Sequence, residues 1–242
     1  MPAASPRRMA HQYIDRDSGR LKTERLYQDR LVLYFYGRVR ESMPAVFRML
    51  TSRTSTRLLG YLNYDTRWGS GAGRRFLRDQ RIDLDECLDD PAGFQSVRQV
   101  FERRIRYWDC RPMPEDSYAV VSPADARVLV GSFRAQPAVC IKEKFFDFAE
   151  LLGHDRPAWL AAFAGGDYAV FRLTPEKYHY NHAPVAGVVV DHYEVDGHYH
   201  SCNPGAAVMI ATPYSKNRRV VTVIDTDAPG GTHVGKVAMI EV

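Results

Sequence analysis

The stretch Asp167-Tyr168-Ala169-Val170-Phe171-Arg172-Leu173-Thr174-Pro175-Glu176-Lys177-Tyr178-His179-Tyr180-Asn181-His182-Ala183-Pro184-Val185-Ala186-Gly187 changes character twice. Its first seven residues are rich in aromatic and β-branched side chains and read as a strand. Thr174-Pro175-Glu176 then places a capping residue before a proline at the first helical position, which predicts a single helical turn over Glu176–His182. On such a turn His179 and His182, three apart, share one side. Ala183 precedes Pro184 and is expected to be extended, returning the chain to a second strand over Val185–Glu194. Two histidines at a corner of this kind are placed to face a cleft.

Outward from this corner the pattern stays β-rich. Tyr118–Val121, Arg127–Phe133, Ala206–Thr212 and Arg219–Thr226 are further strand-like runs bounded by Gly, Pro, Asn and Asp. One helix is expected near Pro157–Phe163, closed by Gly165-Gly166. Towards the N-terminus the period changes. Leu26, Leu31, Leu33, Tyr34, Tyr36, Val39, Val46, Phe47, Leu50, Leu58 and Leu59 recur at loose helical spacing, interrupted at Gly37 and Pro44, and predict two or three amphipathic helices. Trp68–Gly73 reads as a flexible linker, and Ala92–Trp108 as a helix with Phe94, Val97, Phe101, Ile105 and Trp108 on one stripe. The expected fold class is α+β, with a basic helical region at 1–67, a linker and helix at 68–117 and a β-rich domain at 118–242. The run Val234–Val242 is apolar with no turn signal after it, which is expected of a chain truncated at its C-terminus.

Charge is distributed unevenly. Residues 1–60 hold 12 Lys and Arg against 5 Asp and Glu, while the remainder is slightly acidic at 21 against 24. A basic segment in which arginines 25, 30, 38, 40, 48, 53 and 57 interleave with aromatics suits an anionic surface, and equally suits side chains that snorkel over their own core. The N-terminus lacks the apolar centre of a signal peptide, and no apolar run is long enough to span a bilayer, so a cytoplasmic protein at the membrane periphery is expected. Cys87, Cys110, Cys140 and Cys202 are widely spaced and read as reduced thiols.

Three readings of the His179 and His182 pair stand side by side. With His198, His200 and Cys202 alternating along one strand face, the pair could belong to a metal site, but it lacks the H-E-x-x-H pattern, and no metal is expected. The imidazoles could be hydrogen-bonded structural residues, or they could do acid–base work near neutral pH. A histidine base is usually held by a carboxylate, and Val120-Val121-Ser122-Pro123-Ala124-Asp125-Ala126-Arg127 presents Asp125 in a turn between two strand-like runs. Aspartate in such a turn also bonds its own backbone.

Together, Ser122-Pro123-Ala124-Asp125, Lys142–Gly153, Phe171–Gly187, Val195-Asp196-Gly197 through Ser201-Cys202-Asn203-Pro204, and Lys216–Val220 resemble the phosphatidylserine decarboxylase family, in that family's order. The resemblance covers about residues 115–242, and its most specific part is Tyr178-His179 through His182 and Pro184. It implies a β-rich catalytic domain and a lyase that converts phosphatidylserine to phosphatidylethanolamine and carbon dioxide. It also implies a proenzyme that cuts itself at a Gly-Ser-Ser/Thr motif, leaving a pyruvoyl group on a small subunit. By the same resemblance Asp125 orients and charges His182, His182 takes the serine proton, and His179 serves the decarboxylation step. Tyr178, Tyr180 and Asn203 are candidate substrate contacts.

The partners implied are the pyruvoyl-bearing small subunit from the same proenzyme, phosphatidylserine in an anionic membrane surface, and a second copy in a homodimer; nucleic acid is not expected. The chain departs from the pattern in one respect: Gly69-Ser70 and Gly131-Ser132 lack the motif's third residue, so the pyruvoyl serine is expected beyond residue 242. Two alternatives remain at this level: a decarboxylase of a free aromatic amino acid, and a non-catalytic relative that binds anionic lipid.

Overall fold

The computed structural model of the chain describes residues 12–24, 34–65, 72–80, 82–134, 138–141, 144–200 and 213–242. Helices prevail before Arg111 and antiparallel strands after it, giving the expected α+β class. The first element among the described residues is a hairpin that the sequence pattern did not announce, β1 (Gln12–Ile14) against β2 (Leu21–Thr23). It is anchored by Glu24, whose nearly buried carboxylate pairs with both Arg127 and Arg172 at 2.5 Å, while the Tyr13 ring lies 3.7 Å from the Arg127 guanidinium.

The helical spacing expected after the hairpin is realised within residues 34–65. Phe35–Val39 winds in wide π-type turns into α1 (Arg40–Ser42), and Gly37 lies inside this winding rather than interrupting it. Pro44 opens α2 (Pro44–Leu50), and the Ser52 hydroxyl caps α3 (Arg53–Gly60) by accepting from the Ser55 amide. A second π-type stretch, Tyr61–Asp65, follows. Leu26, Leu31 and Leu33 lie outside the described residues.

The glycine linker is corrected in part: Ala72 and Gly73 already belong to α4 (Ala72–Gln80), and residues 66–71 lie outside the description. Phe76 and Leu77 of α4 bury against Ile82, Cys87, Phe94 and Val100, forming a first core. The single helix expected over Ala92–Trp108 is also corrected. A short 3-10 turn at Pro91–Gly93, α5 (Val97–Phe101) and α6 (Tyr107–Cys110) replace it. Ser96 and Gln99 form a reciprocal capping box that restarts the helix, and Ile105 leaves it again to bridge to Cys87 in an extended conformation.

The β-rich part is made of small antiparallel sheets. β3 (Arg127–Ser132) pairs with β6 (Asp167–Arg172), with Arg127 opposite Arg172. β4 (Ala138–Ile141) and β5 (Lys144–Asp147) form a hairpin ahead of α7 (Phe148–Leu152) and α8 (Pro157–Phe163). Gly165 adopts φ 69° just past α8, the left-handed cap that the sequence predicted. β7 (Val188–Val195), β8 (Arg219–Asp225) and β9 (Lys236–Glu241) form a three-stranded sheet with β8 in the middle, and α9 (Pro213–Lys216) lies between β7 and β8 in the chain. β7 therefore starts three residues later than expected. Tyr118–Val121 is not a strand at all, and Tyr118 and Val120 are exposed.

The second core lies between this sheet and α7 and α8. Val221 and Val223 of β8 are fully buried against Leu152 and Tyr193, each contributing roughly 1.5–3 kcal/mol of burial, with Trp159, Leu160 and Phe163 packed around them. Polar groups in this core are satisfied: Tyr193 donates to the Leu152 carbonyl at 2.8 Å, and Trp159 donates to the Asp191 carboxylate at 2.6 Å. Gly187 enters β7 where a Cβ would stand 2.5 Å from the Asp225 carbonyl oxygen, so only glycine allows β7 and β8 to meet there.

Candidate functional site

Because β3 and β6 are antiparallel with Arg127 opposite Arg172, the chain entering β3 and the chain leaving β6 meet at the same end of the pair. The entering loop is Ser122–Ala126; the leaving loop is Leu173–Gly187. Two backbone hydrogen bonds join them: the His182 amide donates to the Pro123 carbonyl and the Val121 amide to the Pro184 carbonyl, both at 2.8 Å. The loop that carries Asp125 and the segment that carries His182, far apart in sequence, are thus joined by topology. The end of β9 closes the group, since Asn181 donates to the Glu241 carboxylate at 2.7 Å.

The helical turn expected at Glu176–His182 is absent. Lys177 donates its amide to the Thr174 carbonyl at 3.0 Å in a β-turn, and the chain then passes through both histidines without regular secondary structure. Thr174 spends its hydroxyl on the Glu176 carboxylate, so it does not cap a helix. His179 and His182 consequently have separate surroundings. The His182 ring packs against Tyr107 at 4.8 Å and Tyr178 at 5.7 Å between centroids. The His179 ring stacks on Phe101 at 3.6 Å.

Both rings present a buried Nε2 that has no hydrogen-bond partner within the protein. The backbone of Thr174 and Pro175 lies beside the His179 ring and favours its protonated form, and with Nε2 bare this assigns the neutral ring's proton to Nδ1. Burial pushes this imidazole below its usual value, with the Arg103 charge adding to the effect. A lowered value favours the neutral ring at neutral pH, and its bare Nε2 is then an acceptor.

The Asp125 carboxylate is held by cations. Arg111 donates to it at 3.0 Å and also forks onto Glu86 at 2.8 and 3.1 Å, while the Lys177 ammonium lies 3.7 Å away. These contacts hold the Arg111 guanidinium firmly protonated, Glu86 contributing most. Among the described residues no hydrogen bond links Asp125 to the His182 ring; the link is the backbone bond from Pro123. Tyr178 is buried and stacks on Tyr180 at 5.3 Å, and burial pushes its phenol up. Tyr180 is exposed and donates to the Glu102 carbonyl at 3.3 Å. Asn203 lies outside the described residues.

Arg111, Lys177, Phe101, Arg103 and Tyr107 were not singled out by sequence. Phe101 carried a signal, the helical stripe, but one that pointed to a core; its ring is instead 38% exposed and covers His179. His198 and His200 stand 5.3 Å apart, and His200 packs on Phe47 and Tyr36 of the helical region rather than near His179. Among the described residues no group of three His, Cys, Asp or Glu side chains is arranged to hold a metal ion. Nor is any helix among them long and apolar enough to cross a membrane.

Fold and site together define an α+β protein with two histidines of bare, buried Nε2 and a cation-held aspartate at one end of an antiparallel pair. Comparison with known proteins gives the family. The family model for phosphatidylserine decarboxylase matches residues 97–242, more than half of the chain and starting early enough to include Phe101 and Arg103. The phosphatidylserine decarboxylase proenzyme of Bordetella avium (strain 197N) is 34% identical over 154 residues, covering 63% of this chain and 52% of that protein. That of Bordetella petrii is 34% identical over 155 residues, covering 63% and 53%, and that of Azotobacter vinelandii (strain DJ) 31% over 156 residues, covering 64% and 54%. The chain belongs to the phosphatidylserine decarboxylase family. It spans about half the length of the curated relatives it matches.

Proposed function

We propose that this chain is the long portion of a self-processing carboxy-lyase that acts on phosphatidylserine. The observation that supports this most is the meeting of three segments at one end of the β3–β6 pair: the Asp125 loop, the His182 segment hung from Pro123, and the end of β9 against Asn181. A serine carried by residues following β9 would be delivered beside His182. His182 Nε2, buried and without a partner, takes the serine proton, and the serine oxygen attacks the preceding carbonyl carbon. The peptide C–N bond breaks to leave an ester and a free amine, β-elimination releases the carboxylate of the long portion, and water hydrolyses the resulting imine to the pyruvoyl group and ammonia. Asp125 positions His182 through the loop backbone and places negative charge, balanced by Arg111 and Lys177, on the same loop as the His182 contact.

A pyruvoyl group left by that processing would supply the electron sink for loss of the carboxylate. The two bare Nε2 atoms fit such a group, because it needs a proton moved nearby and offers no cation of its own. His179 Nε2 takes up a proton and returns it in the later step. The stacked rings of Phe101, Tyr178 and Tyr180 limit the access of water to this end of the site.

The lipid substrate is favoured over a free aromatic amino acid by residues 34–65. Tyr34, Met43, Met49, Leu58, Tyr61 and Tyr64 are exposed there among the exposed Arg38, Arg48, Arg53 and Arg57, the composition of a face that rests on anionic lipid. Release of carbon dioxide from phosphatidylserine vesicles and from free tyrosine or tryptophan by the purified, processed protein is the test. Release from vesicles alone is expected; release from the amino acids alone would replace the lipid reading, and release from neither would leave a lipid-binding relative.

A further inference from the structure

His179 is enclosed from three directions by groups that no proton transfer requires. On one face the Phe101 ring stacks at 3.6 Å with only 25° between the planes. Beside the ring on a second side is the backbone of Thr174 and Pro175. Behind that turn lies Arg103, only 4% exposed, which donates from Nη2 to the Glu176 carbonyl at 2.7 Å and from Nη1 to the Val100 carbonyl at 3.1 Å. A guanidinium this deeply buried normally faces a carboxylate. Arg103 has no ion pair among the described residues and its Nε is unpartnered, so its hydrogen bonds are devoted to backbone carbonyls, one of them in the turn beside His179.

A neutral imidazole has two tautomers, and the one present is set by the partner of the committed nitrogen. We propose that Phe101 and Arg103 are positioning residues that clamp His179 in the Nδ1–H tautomer, with Nε2 bare and aimed away from the turn. Arg103 fixes the carbonyl-bearing turn through Glu176 and places a positive charge that disfavours a second proton on the ring. Phe101 fixes the plane of the ring and keeps water from one face. The remaining charge facing His179 is Glu176, whose carboxylate is occupied by the Thr174 hydroxyl. The clamp rests on the lyase reading for its purpose: a proton accepted at Nε2 becomes the one His179 can return, because its Nδ1–H is already committed.

The experiment reads the ring itself, without substrate. In the full chain labelled with nitrogen-15 histidine, long-range proton–nitrogen spectra report tautomer and titration, and the His179 signals are identified by their loss in His179→Gln. Wild-type His179 should show a protonated Nδ1, an unprotonated Nε2 and a midpoint below that of an ordinary histidine. Phe101→Ala should raise the midpoint, and since Phe101 is 38% exposed the fold does not depend on it. Arg103→Met should raise the midpoint and mix the tautomers; Arg103→Lys, which keeps the charge but not the planar fork, should keep the low midpoint while mixing them. A wild-type ring protonated at Nε2, or a titration unchanged in Phe101→Ala, overturns the clamp. Its failure is separable from that of the lyase reading: a clamped ring in a protein that decarboxylates nothing counts only against the function, and an unclamped ring in an active enzyme only against the clamp.

Discussion

The histidine segment, Thr174 to Pro184, and the helical segment, 34 to 65, are both mixtures of aromatic and charged residues, yet the fold treats them oppositely. The first is pinned along its length, by Pro123 and Val121 through the backbone, by Phe101 and Tyr107 through ring contacts, and by Arg103 through the Glu176 carbonyl. It buries two imidazole nitrogens without partners. The second folds on local hydrogen bonds and leaves Tyr34, Met49, Leu58 and Tyr61 between 58% and 59% exposed. Buried polar atoms left open cost free energy unless something uses them, and exposed apolar residues rimmed by arginine need a surface to cover them. The same residue types therefore support the proposal of chemistry in one place and of docking on anionic lipid in the other.

The largest effect that can separate the two regions is loss of self-cleavage. Full-length protein, expressed with whatever follows Val242, is expected to divide into a large and a small subunit. His182→Ala and Asp125→Ala should leave it whole on electrophoresis, while Arg57→Ala in the helical segment should leave cleavage untouched. Cleavage in both site variants would remove them from processing. His179→Ala should then behave differently, since its proposed task follows processing: cleavage persists and turnover falls by roughly 10²–10⁴-fold, the range for loss of an acid–base group. A His179→Ala protein that stays uncleaved would move this residue into maturation.

Much of this arrangement could be read from the chain, and the failures have physical causes. β6, β8 and α8 follow directly from β-branched runs and from a Pro start with a Gly stop, and the loop that the Ser122–Asp125 motif marks is the one whose Pro123 carbonyl accepts from the His182 amide. The helix over 92–108 failed because apolar spacing counts a stripe without asking where the backbone restarts; the Ser96–Gln99 box restarts it. The turn at Glu176 failed because Thr174-Pro175 opens a β-turn as readily as a helix, and the Thr174 hydroxyl went to Glu176. Arg111 and Lys177 were invisible because which cation meets Asp125 depends on how two distant loops are brought together, and no local pattern encodes that.

Binding to vesicles tests the other side of the comparison. Each arginine close to an anionic surface contributes about 1 kcal/mol, and screening shortens from about 10 to 3 Å between 0.1 and 1 M salt. Replacing Arg38, Arg48, Arg53 and Arg57 together should weaken sedimentation with phosphatidylserine vesicles by more than roughly tenfold at low salt, with little change on neutral vesicles. Leu58→Ala and Tyr61→Ala should reduce the part that survives high salt. Equal binding to neutral and anionic vesicles would remove the electrostatic account and favour a small soluble substrate.

The smallest effect is a pH dependence that touches both regions through one histidine each. Burial pushes His179 in the site and His200 against the helices below the ordinary value of 6.5, and the neighbouring His198 adds to the second. The unfolded chain takes its histidine protons at the ordinary value, so below it the unfolded state binds more protons than the folded one, and the free energy of unfolding falls as pH falls. The stability these rings lend is complete above about pH 6.5 and is lost as pH drops towards their lowered values, each contributing at most about 1.4 kcal/mol per pH unit. The shifted carboxylates, such as Asp15, pulled down to about 2 by Lys22, titrate further into acid and do not enter this window. Denaturant unfolding at pH 7.5 and 5.5 should therefore show a loss that His179→Gln and His200→Phe each reduce. His200→Phe keeps a ring against Phe47 and Tyr36 but cannot be protonated. It should in addition protect residues 34–65 from proteolysis at pH 5.5, which His179→Gln should not. If both variants protect that segment equally, the two regions are coupled more tightly than their separate contacts imply.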